Sequence, residues 1–327
     1  MKRIKPKSEY LILGVVIAAL LLYLLLHNPD RINYQLPRLA AMAEGDVSAI
    51  EIARAGAAVR LEKKDGQWLI QPQGFSADPA KIKAIVNGIT GLSMTALVSE
   101  YGNYYPYGLD QGNAIVVKAY QGGRLLREFS VGNAASTYNH TYVKLADDPR
   151  VYHAGKSFRG DFEQKVDGLR DKTVLQVDKN QITAVEIATA GAKVLFIKHA
   201  QPVEVKAGEK SMPGQGGPSA PEESWLMADG KPANPGELNG IIEQTSQLSC
   251  EGFIEGKARE DFQGPVYTVT LKGAKDFRLS IFAKAEKEPS YPALSSESPY
   301  PFLLSAYKAE NIMKKLDVLK NGNPAAK

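Results

Sequence analysis

Residues 47–56, VSAIEIARAG, return as residues 182–191, ITAVEIATAG, with six of ten positions identical. An internal repeat constrains a fold more than any local propensity, because each copy must solve the same packing problem with the same elements. Both copies alternate apolar and polar residues, the period of a strand with one buried face. Residues 59–63 and 194–198 supply a second strand in each copy, and 67–70 and 224–227 a third, so the chain's two tryptophans, Trp68 and Trp225, fall at equivalent places. Asp78-Pro79 and Asn234-Pro235 follow as helix starts. The side-chain oxygen accepts an orphan N–H there, and Pro at the first helical position has no N–H to leave unpaired.

Ile82, Ile85, Val86, Ile89 and Leu92 map onto Leu238, Ile241, Ile242, Thr245 and Leu248. Spacing of three and four puts each set on one helix face, packed on the sheet. Further strands are predicted over 113–120 and 125–131, matched by 265–271 and 277–282, with Gly122-Gly123 and Gly273 in the hairpin turns. A last hairpin in each copy (142–143 with 151–152; 291–294 with 302–304) precedes a short closing helix (156–163; 306–315). Each copy then reads β-β-β-α-β-β-β-β-α. The predicted fold class is α+β: an N-terminal transmembrane helix followed by two repeated, mainly antiparallel sheet modules with packed helices.

The transmembrane prediction rests on residues 10–26, YLILGVVIAALLLYLLL, which carry no charge and follow Lys2, Arg3, Lys5 and Lys7. As a helix this run rises about 25 Å, near the short end of what crosses a bilayer. A core helix would show a polar face. A cleaved signal would show its cleavage site close behind the apolar run, where His27-Asn28-Pro29 stand. An uncleaved anchor fits better than either. The positive-inside rule then leaves the basic tail in the cytoplasm and carries the rest across. The expected placement is single-pass in a bacterial inner membrane, with the lipid bilayer around residues 10–26 and the modules in the periplasm.

The 327 residues divide accordingly into a basic tail (1–9), an anchor (10–27), a stem (28–46), module one (47–170), module two (171–320) and a tail (321–327). Residues 201–223, rich in Pro, Gly, Ser and Glu, interrupt module two as a flexible insert. The formal charge of +4 arises entirely within residues 1–38, which hold six basic and two acidic side chains. The modules are therefore neutral, and a global basic footprint for nucleic acid is excluded. Cys250, the single cysteine, reads as a small packing residue.

Motifs that carry chemistry are missing: there is no GxSxG, no Walker A and no dinucleotide-binding glycine pattern. His27, His140, His153 and His199 lack partners at metal-ligand spacing, although His140 and His153 can meet across the predicted hairpin as a polar pair. Glu51 and Glu186 recur at equivalent positions, which the outward face of a duplicated strand explains. No catalytic, cofactor-binding or metal-binding residue is assigned, and the chain is expected not to be an enzyme. The candidate interaction residues are Tyr101, Tyr104, Tyr105 and Tyr107, within residues 100–110, EYGNYYPYGLD. Tyrosine joins a flat apolar body to a polar tip, which suits glycan stacking or a protein interface. Packing of the loop's own rings over the sheet edge is the competing reading. Tyr291, Tyr300 and Pro301 form a second aromatic loop with the same ambiguity. Arg170, Asp171 and Lys172, at the junction of the copies, are candidate inter-module residues, as an ion-pair staple or a partner contact.

Trp68, the helix start at Ala77-Asp78-Pro79, the Tyr107-Gly108-Leu109-Asp110 turn and Leu169-Arg170-Asp171-Lys172 occur in that order behind the apolar helix. In this the chain resembles the bacterial domain-of-unknown-function 4340 family over about residues 10–320, departing from it at Gln111-Gly112-Asn113, where family members usually carry Pro. The resemblance implies an accessory to membrane transport systems, with ABC-type transporter components and auxiliary proteins of the gliding-motility type as neighbours. It brings no catalytic residues. The expected function is that of a non-catalytic, membrane-anchored periplasmic interaction or scaffold subunit of a transport or envelope assembly. The alternative is a periplasmic binding module for a cell-wall glycan or small envelope ligand.

Overall fold

The structure, a computed structural model, describes residues 8–26, 34–136, 138–200 and 223–320, and of Ser8, Leu11, Ala200 and Glu223 the backbone alone. Residues 201–222 of the predicted insert and the tail 321–327 lie outside the described residues. Two compact units are formed, Met1–Pro72 with Ala80–Gln164, and Gln73–Pro79 with Lys165–Lys327.

In the first unit β1 (Ala49–Arg54), β2 (Ala57–Lys64) and β3 (Gln67–Gln71) form a meander. After β4 (Phe75–Ser76), whose residues belong to the second unit, come α2 (Pro79–Thr90) and β5 (Met94–Ser99). Strands β6 (Ile115–Gln121), β7 (Arg124–Ala134), β8 (Thr141–Leu145) and β9 (Val151–Ala154) complete the sheet. The strand order is β3-β2-β1-β6-β7-β8-β9-β5, antiparallel at each pairing. Gly122 and Gly123 turn β6 into β7 with φ of 55° and 86°, the left-handed pair that a two-residue hairpin requires. Helix α2 buries Ile82, Ile85, Val86 and Ile89, the face its spacing predicted.

The second unit repeats that connectivity. Its strands β11 (Ala184–Thr189), β12 (Ala192–Ala200), β13 (Glu223–Met227), β15 (Gly252–Phe253), β16 (Tyr267–Lys272), β17 (Phe277–Ile281), β18 (Ser290–Ser295) and β19 (Phe302–Ser305) run in the order β13-β12-β11-β16-β17-β18-β19-β15. A two-stranded sheet pairs β10 (Thr173–Gln176) with β14 (Gln247–Ser249). Short α4 (Val166–Leu169) leads into this unit, and α5 (Pro235–Ser246) buries Leu238, Ile241, Ile242 and Thr245. Asn234 caps α5 as its sequence predicts, its Oδ1 accepting from the Gly236 and Glu237 N–H groups at 3.1 and 3.3 Å. The core joins Trp225, Phe196, Phe302, Val185, Ile187 and Leu279 beneath the helix.

The predicted α+β class is corrected: the described residues are mostly β, with three antiparallel sheets and few helices among them. Closing helices expected over 156–163 and 306–315 shrink to α3 (Arg159–Phe162) and α6 (Ala306–Ile312), followed only by α7 (Leu316–Lys320). Elements that short make one or two turns and cannot build a helical layer. Meanwhile β5 and β15, each an edge strand, add sheet where the sequence predicted none.

The transmembrane helix is corrected too. The residues predicted to cross lie in α1 (Ser8–Leu26), whose first turn carries Glu9. No helix among the described residues is long and apolar enough to cross a membrane. The uncharged part of α1 rises about 25 Å, against a hydrocarbon core of about 30 Å. The single-pass inner-membrane placement and the periplasmic destination derived from it fall with the anchor.

Candidate interaction site

The four tyrosines of the first unit divide into two anchors and two presenters. Tyr104 donates its hydroxyl proton to the Pro149 carbonyl at 3.0 Å, and Lys144 Nζ stands 5.7 Å from its ring centroid. Tyr107 sets its ring against Tyr142, centroids 5.0 Å apart. Between them a 3-10 turn, Tyr105–Tyr107, ends on Gly108 in the left-handed region at φ 63°. The turn lies directly on β7, where a Cβ at Gly132 would collide with the Tyr107 carbonyl oxygen. Tyr101 and Tyr105 point away from this footing, 80% and 77% exposed.

The connection that Tyr104 grips is itself fixed. Asp148 accepts from Arg150 Nε at 2.9 Å, from Arg150 Nη2 at 2.8 Å and from the Tyr152 hydroxyl at 2.7 Å. The Arg150 guanidinium, with the Tyr152 hydroxyl, holds the Asp148 carboxyl well below the usual range, while burial beside that carboxylate pushes Tyr152 up to about 12. Beyond Tyr142 the aromatic contact continues. His153 lies 5.0 Å from Tyr142 and stacks on His140 at 5.3 Å, which realises the pair predicted across the β8–β9 hairpin. The buried Nε2 of His153 has no hydrogen-bond partner, and burial together with His140 lowers its pKa.

In the second unit Arg170, Asp171 and Lys172 follow α4. Backbone bonds from Asp78 N to Leu169 O at 2.8 Å and from Asp171 N to Ser76 O at 2.9 Å pin this segment to residues 76–78, all within the second unit. Asp171 caps the Thr173 N–H at 2.9 Å, and Lys172 reaches Asp167 at 3.2 Å and the Glu251 carbonyl at 2.6 Å. Arg170 is 3% exposed, its Cζ 3.7 Å from the ring centroids of both Phe75 and Phe253 and 5.1 Å from that of Tyr300. A cavity of about 200 Å³ opens beside it. Tyr300, read from sequence as part of a weak aromatic loop, thus joins a box of three rings around one cation; Tyr291 instead donates its hydroxyl to Glu310 at 3.3 Å.

Other flagged residues take structural places. Glu186 pairs with Lys193 at 2.9 Å and Lys272 at 3.6 Å, and Glu51 with Arg60 at 4.0 Å, on the outward faces of equivalent strands. Cys250 is buried, which raises its thiol to about 11 and keeps it protonated. Among the described residues no group of three His, Cys, Asp or Glu is placed to hold a metal ion. Sequence reasoning missed Arg127, which is buried on the inward face of β7 and donates to the carbonyls of Ile89, Thr90 and Ala40. Its one signal is position, since it shares the alternation of Phe129 and Val131.

A family model described as "Domain of unknown function (DUF4340)" matches residues 68–265. No curated protein and no solved structure matches the chain.

Proposed function

Because the chain belongs to the DUF4340 family, a domain of unknown function, its role has to be read from its own surface, and we propose that it is a non-catalytic interaction subunit of a transport or envelope assembly. The observation that carries this reading is the pairing of two exposed tyrosines, Tyr101 and Tyr105, with two anchored ones, Tyr104 and Tyr107. A rigid loop presents aromatic area without losing much conformational freedom on binding, the property that makes tyrosine frequent among dominant interface residues. Two sheets of one connectivity add surface and require no reacting centre.

A photo-crosslinking residue placed at position 101 or 105 in cells tests the proposal, with Tyr307, also exposed, as the control position. Discrete adducts with a transport-system subunit from 101 and 105, and none from 307, are expected. No discrete adduct at either loop position would sink it. The same exposed rings suit sugar stacking, so retention by peptidoglycan that disappears in Tyr101→Ala/Tyr105→Ala would move the reading to a glycan-binding module.

A further inference from the structure

Among the described residues of the second unit, Nη2 of Arg170 is the one buried side-chain nitrogen or oxygen without a hydrogen-bond partner. That atom is fully buried and donates to no acceptor, and Arg170 forms no ion pair among the described residues. Desolvating a cation is costly, and native structures rarely tolerate one whose donors are unmet. The rings of Phe75 and Phe253 offset part of that cost through their faces, but a ring face satisfies charge and not directed N–H donors.

The ring centroids of Phe75 and Phe253 both lie 3.7 Å from Arg170 Cζ, so the rings take up much of the space around the guanidinium, and the part that lines the cavity remains to meet a ligand. We propose that the cavity beside Arg170 binds a single carboxylate group, held by the guanidinium between Phe75 and Phe253. A carboxylate in the cavity is a charge-assisted acceptor for the guanidinium N–H donors that reach it. The charge balance favours a monoanion over phosphate. One guanidinium faces the cavity, and Asp171 and Glu297 stand in its wall, Glu297 already paired with Lys275 at 2.8 Å. At about 200 Å³ the space suits a small acid or the terminal residue of a peptide. Every lining residue belongs to the second unit, so the site does not depend on the tyrosine loop.

The test is titration of the full chain, labelled at arginine nitrogen, while the Arg170 Nε–H resonance is followed at constant pH and ionic strength. Probes are acetate, N-acetyl-trialanine with a free C-terminus, its C-terminal amide, and inorganic phosphate. Acetate and the free peptide should shift the resonance saturably, the amide should not, and phosphate should bind at least about tenfold more weakly. Tighter binding of the peptide than of acetate identifies a peptide terminus as the source, and equal binding a small free acid. Arg170→Met should abolish the acetate response in a thermal-shift readout. Should that variant fail to fold, the wild-type titration still decides, and Glu297→Gln should tighten acetate binding by removing a neighbouring negative charge. An Arg170 resonance that no carboxylate shifts, a response to the amide equal to that of the acid, or phosphate binding as tightly as acetate would each overturn the proposal.

Discussion

The indole Nε1 of Trp225 donates to Oδ1 of Asn239 at 3.0 Å, fastening β13 to α5 within the second unit. The ring itself is 1% exposed and one of the largest groups in the core. Trp225→Ala should therefore cost about 3–5 kcal/mol in urea unfolding, chiefly through the cavity it leaves, and Trp225→Phe less. In a Trp68→Phe background, fluorescence reports Trp225 alone and should resist acrylamide quenching until the second unit unfolds.

Arg127 presents the opposite case to Arg170, a buried cation whose donors are met. It ties the last-turn carbonyls of α2 to the stem at Ala40. Arg127→Met leaves those carbonyls unpaired and removes a charge from the negative end of the helix dipole. A loss of about 2–4 kcal/mol is expected, with faster amide exchange at the end of α2.

The Asp148 carboxyl titrates below its unfolded value because Arg150 and Tyr152 donate to it. A depressed carboxylate pKa stabilises the fold above the unfolded value of about 3.9, and that contribution is lost as pH falls through the folded value. Asp148→Asn should cost about 1–2 kcal/mol at neutral pH, discounted for the partly exposed Arg150. The gap between variant and wild type should close in acid unfolding.

His153 works with the same sign through a base. Its folded pKa is lowered, so the unfolded chain takes the proton first as pH falls below about 6.5. The contribution of the neutral His140–His153 stack is complete above that value and lost as pH falls towards the folded one. Wild-type stability should drop between about pH 7.5 and 5.5, and His153→Gln should flatten that part of the profile. An unchanged slope in the variant would exclude His153 as the cause.

Gly132 decides whether the tyrosine turn can sit on β7. Gly132→Ala should displace Tyr107 from Tyr142 and lower crosslinking from positions 101 and 105. By contrast, Tyr101→Ala and Tyr105→Ala should change stability by no more than about 0.5 kcal/mol, since neither ring is buried.

Features encoded locally were legible in the sequence. The faces of α2 and α5, the Asn234 cap and the β8–β9 pairing of Val143 with Tyr152 each follow from spacing within a few residues. Edge strands were not legible. Gly252-Phe253 is too short to show a period, and Met94–Ser99 becomes a strand by pairing with β9 through two irregular steps in register. The closing helices are shorter than their sequence predicts because a few apolar residues at helical spacing do not say how many turns tertiary packing will support.

The repeat, the neutral modules and the tyrosine-rich loop were determined by sequence alone, since composition and local periodicity survive without knowledge of what lies opposite. Which tyrosines face outward, and that Arg170 lies between Phe75 and Phe253 with Tyr300 at its side, were decided only by tertiary structure. Those four residues are scattered over more than two hundred positions. The physical reason is that burial of a charge depends on the groups the fold brings around it, and one stretch of chain carries no record of its distant neighbours.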